Sequence, residues 1–347
     1  MPSRQTSMNV FLTRMLAFAA VQMLVAAVVI WQGSPQDSNH YLSALQDKIE
    51  RLERCPGNRL VVVGGSNAAF GIHSQRIQEL TGLETINMGL HVSLGLDFYL
   101  ECARQHCRGG DVVVLSPEYE LLTSELQQGD AITMNQLLAQ WPEAVRYTDQ
   151  QRDTSWKRFL DHDALWQSHE WVARAYSRIT HRKKEGRIYE RSSFNEYGDV
   201  VAHHGRPTPA AIDTSPLTEP DPRRLERAIK ILNRFAQECD DRGATVYLSY
   251  PPMPTEKYAA SVKVIAHITQ TLESELQIPV LHRSDQFVFP LDQFFDSSYH
   301  VTKAAGDRRS RDIARAVQQR RSPQSLDLGR ENPAAEIATG ISAKTLR

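Results

Sequence analysis

The sequence has little of what would settle its class at once. It holds four cysteines (Cys55, Cys102, Cys107, Cys239), and none show the C-x-x-C spacing of a metal site. Lys plus Arg (40) nearly cancels Asp plus Glu (41), so no basic field draws the chain to nucleic acid. No internal repeat is visible. His203-His204 has metal-ligand residue types but no nearby Cys or acid cluster to complete a zinc site, and no metal or cofactor is expected. A length of 347 residues with 41% apolar side chains allows one large domain or two small ones.

Long apolar runs are scarce, with one exception. Residues 15–31 (MLAFAAVQMLVAAVVIW) are broken only by Gln22. As a helix this run is about 25 Å long, and residues 11–13 extend it toward a bilayer core. Arg4 and Arg14 precede it; the first later charge is Asp37 and the first later cation Lys48. The positive-inside rule then places the N-terminus in the cytoplasm and the rest outside, as a single-pass inner-membrane protein with a periplasmic domain. A cleaved signal peptide is the competing reading, but WQGSPQDS after Ile30 is a poor cleavage site. A buried core helix is the third.

After this anchor (residues 1–32), residues 33–56 read as an amphipathic stalk, with Leu42, Leu45, Ile49 and Leu52 at helical spacing. Its apolar face either pairs with another copy or lies on the domain. The pattern then becomes strand, loop, helix. Apolar runs at 60–63, 85–88, 111–116, 244–250 and 278–281 predict five strands buried on both faces. Such strands alternating with helices imply an α/β, flavodoxin-like three-layer sandwich with a five-stranded parallel sheet. The main domain is expected over 57–320. Its third and fourth strands are separated by more residues than an ordinary connection needs, so a cap insertion is expected at about 120–220, with helices over 131–141 and 156–181. Residues 321–347 lack periodicity and are expected to be a disordered tail.

The first strand runs into GGSNAAFG (residues 64–71). A serine at a parallel strand's C-terminal end, opening a helix, gains backbone N–H donors around its Oγ. The bland reading is a helix cap after a glycine turn. The segment 294–302, FFDSSYHVT, supplies what a serine needs: a histidine to take its proton and an acid to orient that histidine. Both segments are expected at one edge of one sheet.

Taken together, GGSNAAFG, NMGLH (residues 87–91) and DSSYHVT resemble the first, second and last blocks of SGNH/GDSL-like hydrolases, in particular membrane-anchored members that act in cell-envelope polymer acylation. The resemblance covers roughly residues 58–318. It implies Ser66 as nucleophile, His300 as base and Asp296 as its orienting acid, with the N–H groups of Ser66 and Gly89 as oxyanion donors. The family's third-block Asn is missing, since the segment after the third strand reads SPEYE (residues 116–120). Asn67 or Asn195, with Asn195 preferred, would have to substitute. Glu118 and Glu120 either line the pocket or serve structure, and the basic residues within 178–191 either hold an anionic polymer or form a solvated helix end. If a disulfide exists, Cys55–Cys107 is expected, from the parallel first and third strands.

The expected function is a serine esterase or O-acyltransferase working on a cell-envelope polysaccharide through an acyl-enzyme. Its partners would be the membrane, an acylated glycan or acyl donor, and a membrane protein of polysaccharide modification. The alternative is an inactive module of the same fold that binds polysaccharide or scaffolds an export complex. A flavin-binding domain is disfavoured, because the first turn lacks a run of Ser/Thr donors for a phosphate.

Overall fold

The computed structural model describes residues 4–31, 38–148, 187–208 and 211–321. The helix expected at 156–181, residues 178–186 of the basic run and the expected tail lie outside the described residues. The N-terminal run forms helix α1 (Arg4–Trp31). Among the described residues no helix is long and apolar enough to cross a membrane; the expected anchor continues over 25–31, whose side chains lie outside that description.

Four strands form the main sheet: β1 (Arg59–Gly64), β2 (Glu84–Asn87), β3 (Val112–Ser116) and β4 (Thr245–Leu248), all parallel, in the order β2-β1-β3-β4. The fifth expected strand is reduced to one parallel bridge, Leu248 with Val280, in which Leu248 N–H donates to Pro279 O and Leu281 N–H to Leu248 O. Pro279 has no N–H to extend that ladder. A separate two-residue parallel pair joins β5 (Met253–Pro254) to β6 (Val288–Phe289).

Side chains alternate across the sheet with the period of two that a strand imposes. Val61, Val63, Ile86, Val113, Leu115, Val246 and Leu248 face one core, and Leu60, Val62, Val112, Val114 and Tyr247 the other. The first core is covered by α2 (Ala44–Arg54), α5 (Leu96–His106), α8 (Pro222–Asp240) and α9 (Thr255–Glu275). The second is covered by α4 (Ser74–Thr81) and α10 (Lys303–Arg321). A short helix, α3 (Ser66–Gly71), contributes to both.

Residues 38–56 of the stretch expected as a stalk pack onto this domain. Leu42, Leu45, Ile49 and Leu52 are buried in the first core, so the apolar face of α2 is not free to pair with another copy. Residues after β3 form α6 (Tyr119–Thr123), α7 (Ala131–Gln140) and a 3-10 turn over Pro142–Tyr147.

All four cysteines are free, so the expected Cys55–Cys107 disulfide is not formed. Cys107 instead shares a thiol hydrogen bond with Cys239. The cause is the other neighbour of β3. Gly110 N–H donates to Gly243 O at 2.8 Å, holding the α5–β3 turn against the α8–β4 turn.

Candidate active site

Ser66 is the first residue of α3, directly beyond the C-terminal end of the central strand β1. The turn before it requires glycine. A Cβ on Gly64 would collide with Ser116 O, and one on Gly65 would lie 2.5 Å from a Glu118 carboxylate oxygen. Glu118 occupies that space for a reason: it accepts the N–H of Gly65 at 3.1 Å and of Asn67 at 2.8 Å, the two amides flanking Ser66. Burial raises its carboxyl above the ordinary glutamate value, against the lowering pull of Asn67.

Asn67 is fully buried beneath the Ser66 turn. Its Nδ2 donates to Ser116 O at 2.8 Å, while its Oδ1 accepts from Arg309 at 2.9 Å and from Ser116 Oγ at 3.2 Å. The Arg309 guanidinium, also buried, donates to Asn67 O at 3.0 Å and Ser116 Oγ at 2.6 Å. Burial pushes Arg309 down to about 9, with Glu118 nearby opposing. Asn67 is therefore consumed by structure and does not reach toward a substrate.

The second block does a similar job. Asn87 Oδ1 accepts Gly89 N–H at 2.8 Å, and Asn87 Nδ2 donates to Ala68 O and Asp199 Oδ1, each at 2.8 Å. The Gly89 amide, expected as an oxyanion donor, is thus engaged within its own loop. Gly89 is needed for close approach: a Cβ there would lie 2.5 Å from Ala69 N. Asn195, the other expected donor, shapes a turn. Its Oδ1 accepts the N–H groups of Tyr197 at 3.0 Å and Asp199 at 2.9 Å, and Gly198 follows at φ +92°. Its Nδ2, the group an oxyanion would need, donates to Asp199 Oδ2 at 3.3 Å, so the whole carboxamide is turned to its own loop. Asp199 then holds Ser74 through N–H and Oγ at 2.8 and 2.7 Å. Of the expected oxyanion donors, the Ser66 N–H alone has no hydrogen-bond partner.

Asp296 and His300 are brought together. His300 Nδ1 lies 2.7 Å from Asp296 Oδ1, and the two side chains are 7% and 15% exposed. A carboxylate on Nδ1 fixes the tautomer in which Nε2 is the acceptor. His300 Nε2 is buried and has no hydrogen-bond partner. Ser66 and His300 share no hydrogen bond, but Phe70 links them. The Phe70 ring stacks on the imidazole at 4.0 Å and 10°, and Phe70 is one helical turn after Ser66. The stacked imidazole therefore lies against α3, the helix that Ser66 opens. In sites without substrate such contacts are often long and tighten on binding.

Two further contacts hold this loop. Tyr299 O–H donates to Glu120 Oε2 at 2.7 Å. Tyr189 O–H donates to Asp296 Oδ2 at 2.6 Å. Burial would raise the Asp296 carboxyl, but the hydrogen bonds from His300 and Tyr189 hold it below the usual range. Glu118 and Glu120 therefore tie the serine turn and the histidine loop to the end of β3.

Tyr189 and Arg309 carry no local sequence signal, and Phe70, though inside GGSNAAFG, is given no role by that motif. His203, considered as a metal ligand, is hydrogen-bonded through Nε2 to Val301 O at 3.0 Å. No group of His, Cys, Asp and Glu among the described residues is arranged to hold a metal. No protein-family model matches the chain, and no curated protein matches it.

Proposed function

We propose that the chain is a serine esterase or O-acyltransferase of the SGNH/GDSL-like kind, acting on an acylated cell-envelope glycan. The observation that carries this reading is the Asp296–His300 pair with an unpartnered Nε2, stacked on the helix that begins at Ser66. In the proposed reaction Ser66 Oγ attacks the acyl carbonyl and His300 Nε2 takes the serine proton. The N–H of Ser66, at the start of α3, stabilises the oxyanion. His300 then returns the proton to the departing alkoxide. Water or a sugar hydroxyl, deprotonated by the same nitrogen, resolves the acyl-enzyme.

Helix α1 supports a membrane setting. Phe11, Leu16, Phe18, Val21, Met23 and Leu24 are all exposed around it, and a helix apolar on every side has no stable place in water. The charge distribution favours the catalytic domain on the extracytoplasmic side, where it would work beside a membrane protein of polysaccharide modification.

A second reading has its own support. Gly89 N–H and Asn195 are engaged, and Ser66 is not hydrogen-bonded to His300, as suits an inactive glycan-binding module. Labelling with a fluorophosphonate decides between them. Covalent labelling of the wild type that disappears in Ser66→Ala supports the enzyme; an unlabelled, folded wild type supports the module.

A further inference from the structure

The Asp296 carboxylate is held from two sides. Oδ1 faces His300 Nδ1 at 2.7 Å, and Oδ2 accepts the Tyr189 hydroxyl at 2.6 Å, with that hydroxyl 3.4 Å from Nδ1. With both oxygens engaged, the carboxylate cannot turn away from the imidazole without losing a charge-assisted hydrogen bond. Tyr189 is itself held by residues just after the N-terminal helix. Its ring packs 5.6 Å from the rings of Tyr41 and Phe70. Its neighbour Glu190 bridges His40 and accepts from Asn39 Nδ2 at 2.9 Å. Arg191 donates to Asn39 O at 3.0 Å and to Asp47 Oδ2 at 2.7 Å. Tyr41 closes the arrangement by donating to Leu90 O, beside Gly89, at 2.9 Å.

We infer that Tyr189 is a positioning residue for the Asp296–His300 pair, and that residues 38–47, at the membrane-proximal end of the domain, hold it there. The inference deepens the proposed function and rests on reading His300 as a base. Tyr189 leaves Oδ1 to the imidazole and thereby keeps Nε2 as the proton acceptor. Beside the pair, burial lowers His91 and His203 and raises Tyr41 and Tyr189, so these four groups stay uncharged near neutral pH.

The test uses the full chain in detergent, with histidine rings carrying carbon-13 and the His300 signal identified from the spectrum of His300→Gln. Losing the tyrosine hydroxyl makes the carboxylate more basic, so Tyr189→Phe moves the titration midpoint of the pair upward by about one unit. It also slows fluorophosphonate labelling about tenfold at pH 7. Asp47→Asn, which releases Arg191 without touching the pair, moves the midpoint the same way by less, and serves where Tyr189→Phe lowers the melting temperature. An unmoved midpoint in Tyr189→Phe overturns the positioning role, and a shift there without one in Asp47→Asn overturns the tether. A midpoint that moves in a chain whose wild type does not label supports positioning and counts against the enzyme.

Discussion

The Glu118 carboxylate receives the backbone N–H of Asn67 at 2.8 Å, one residue past the candidate nucleophile, and is buried in doing so. With Gly65 N–H on its other oxygen at 3.1 Å, it fixes both peptide units around Ser66. The place where the resemblance led us to look for an asparagine aimed at substrate is thus filled by an acid aimed at the protein. Its contribution is to the shape of the turn.

Glu118→Gln tests this. A carboxamide offers one acceptor oxygen and turns an NH2 toward the second amide, leaving one buried N–H unsatisfied. The expected loss is about 1–3 kcal/mol of stability, read from chemical denaturation. Labelling of Ser66 should fall at least about tenfold, since small displacements of a nucleophile cost that much. Retention of both wild-type stability and labelling would falsify the clamp.

Phe70→Leu addresses the link between α3 and the histidine loop. The ring stacks on His300 and also packs on Tyr189 and His203 at 5.6 and 5.1 Å. Leucine keeps the apolar volume roughly but loses the stacking, a cost of about 1 kcal/mol. Labelling should slow by more than the stability change explains, because His300 loses the surface that aims it. A variant whose labelling rate matches wild type would show that the imidazole is positioned by Asp296 and Tyr189 alone.

How much of this was readable from the chain depends on the range of the contact. The strands came from β-branched runs such as RLVVVG and VVVLS, whose burial on both faces is a local property. Ser66, Asp296 and His300 sat in short segments with their own signal. The fifth strand failed because Pro279 limits pairing to one bridge, although the apolar run looked adequate. Whether Gly89 N–H and the Asn195 NH2 are engaged is not written in the local pattern, because Asn87 Oδ1 takes the first and Asp199 Oδ2 the second. Tyr189 reaches Asp296 across 107 residues and Arg309 reaches Asn67 across 242, separations at which no periodicity survives.

Asn195→Ala separates a turn former from an oxyanion donor. Removing the carboxamide strips the N–H groups of Tyr197 and Asp199 of their acceptor, costing about 1–2 kcal/mol. The labelling rate of the folded fraction should stay within about twofold of wild type. A drop of about a hundredfold or more, the size expected for a lost oxyanion donor, would restore Asn195 to the site.

The thiols give a check on the strand order. Cys107 meets Cys239 because the turns before β3 and β4 abut. Titration under denaturing, non-oxidising conditions should find four free thiols. Mild oxidation of the folded chain followed by peptide mapping should join Cys107 to Cys239. A Cys55–Cys107 product would contradict the observed packing.

Acid should unfold the protein before its carboxylates are protonated, and His203 is one cause. Burial pushes its imidazole down to about 4 from the ordinary 6.5, with His300 and His73 adding to the effect against the hydrogen bond to Val301. His204 and His282 are lowered in the same way, also to about 4. Below pH 6.5 the unfolded chain therefore binds protons that the folded chain refuses. Linkage makes stability rise with pH in that window, so it is fully present above 6.5 and drains away as pH falls toward 4. His203→Gln keeps a donor for Val301 O but cannot take up a proton. It should reduce proton uptake on unfolding at about pH 5 by roughly one, flattening the acid limb of a denaturation series. Wild-type steepness in that variant would mean His203 carries a proton in the folded state, and the acid sensitivity would then have to arise at His204 and His282.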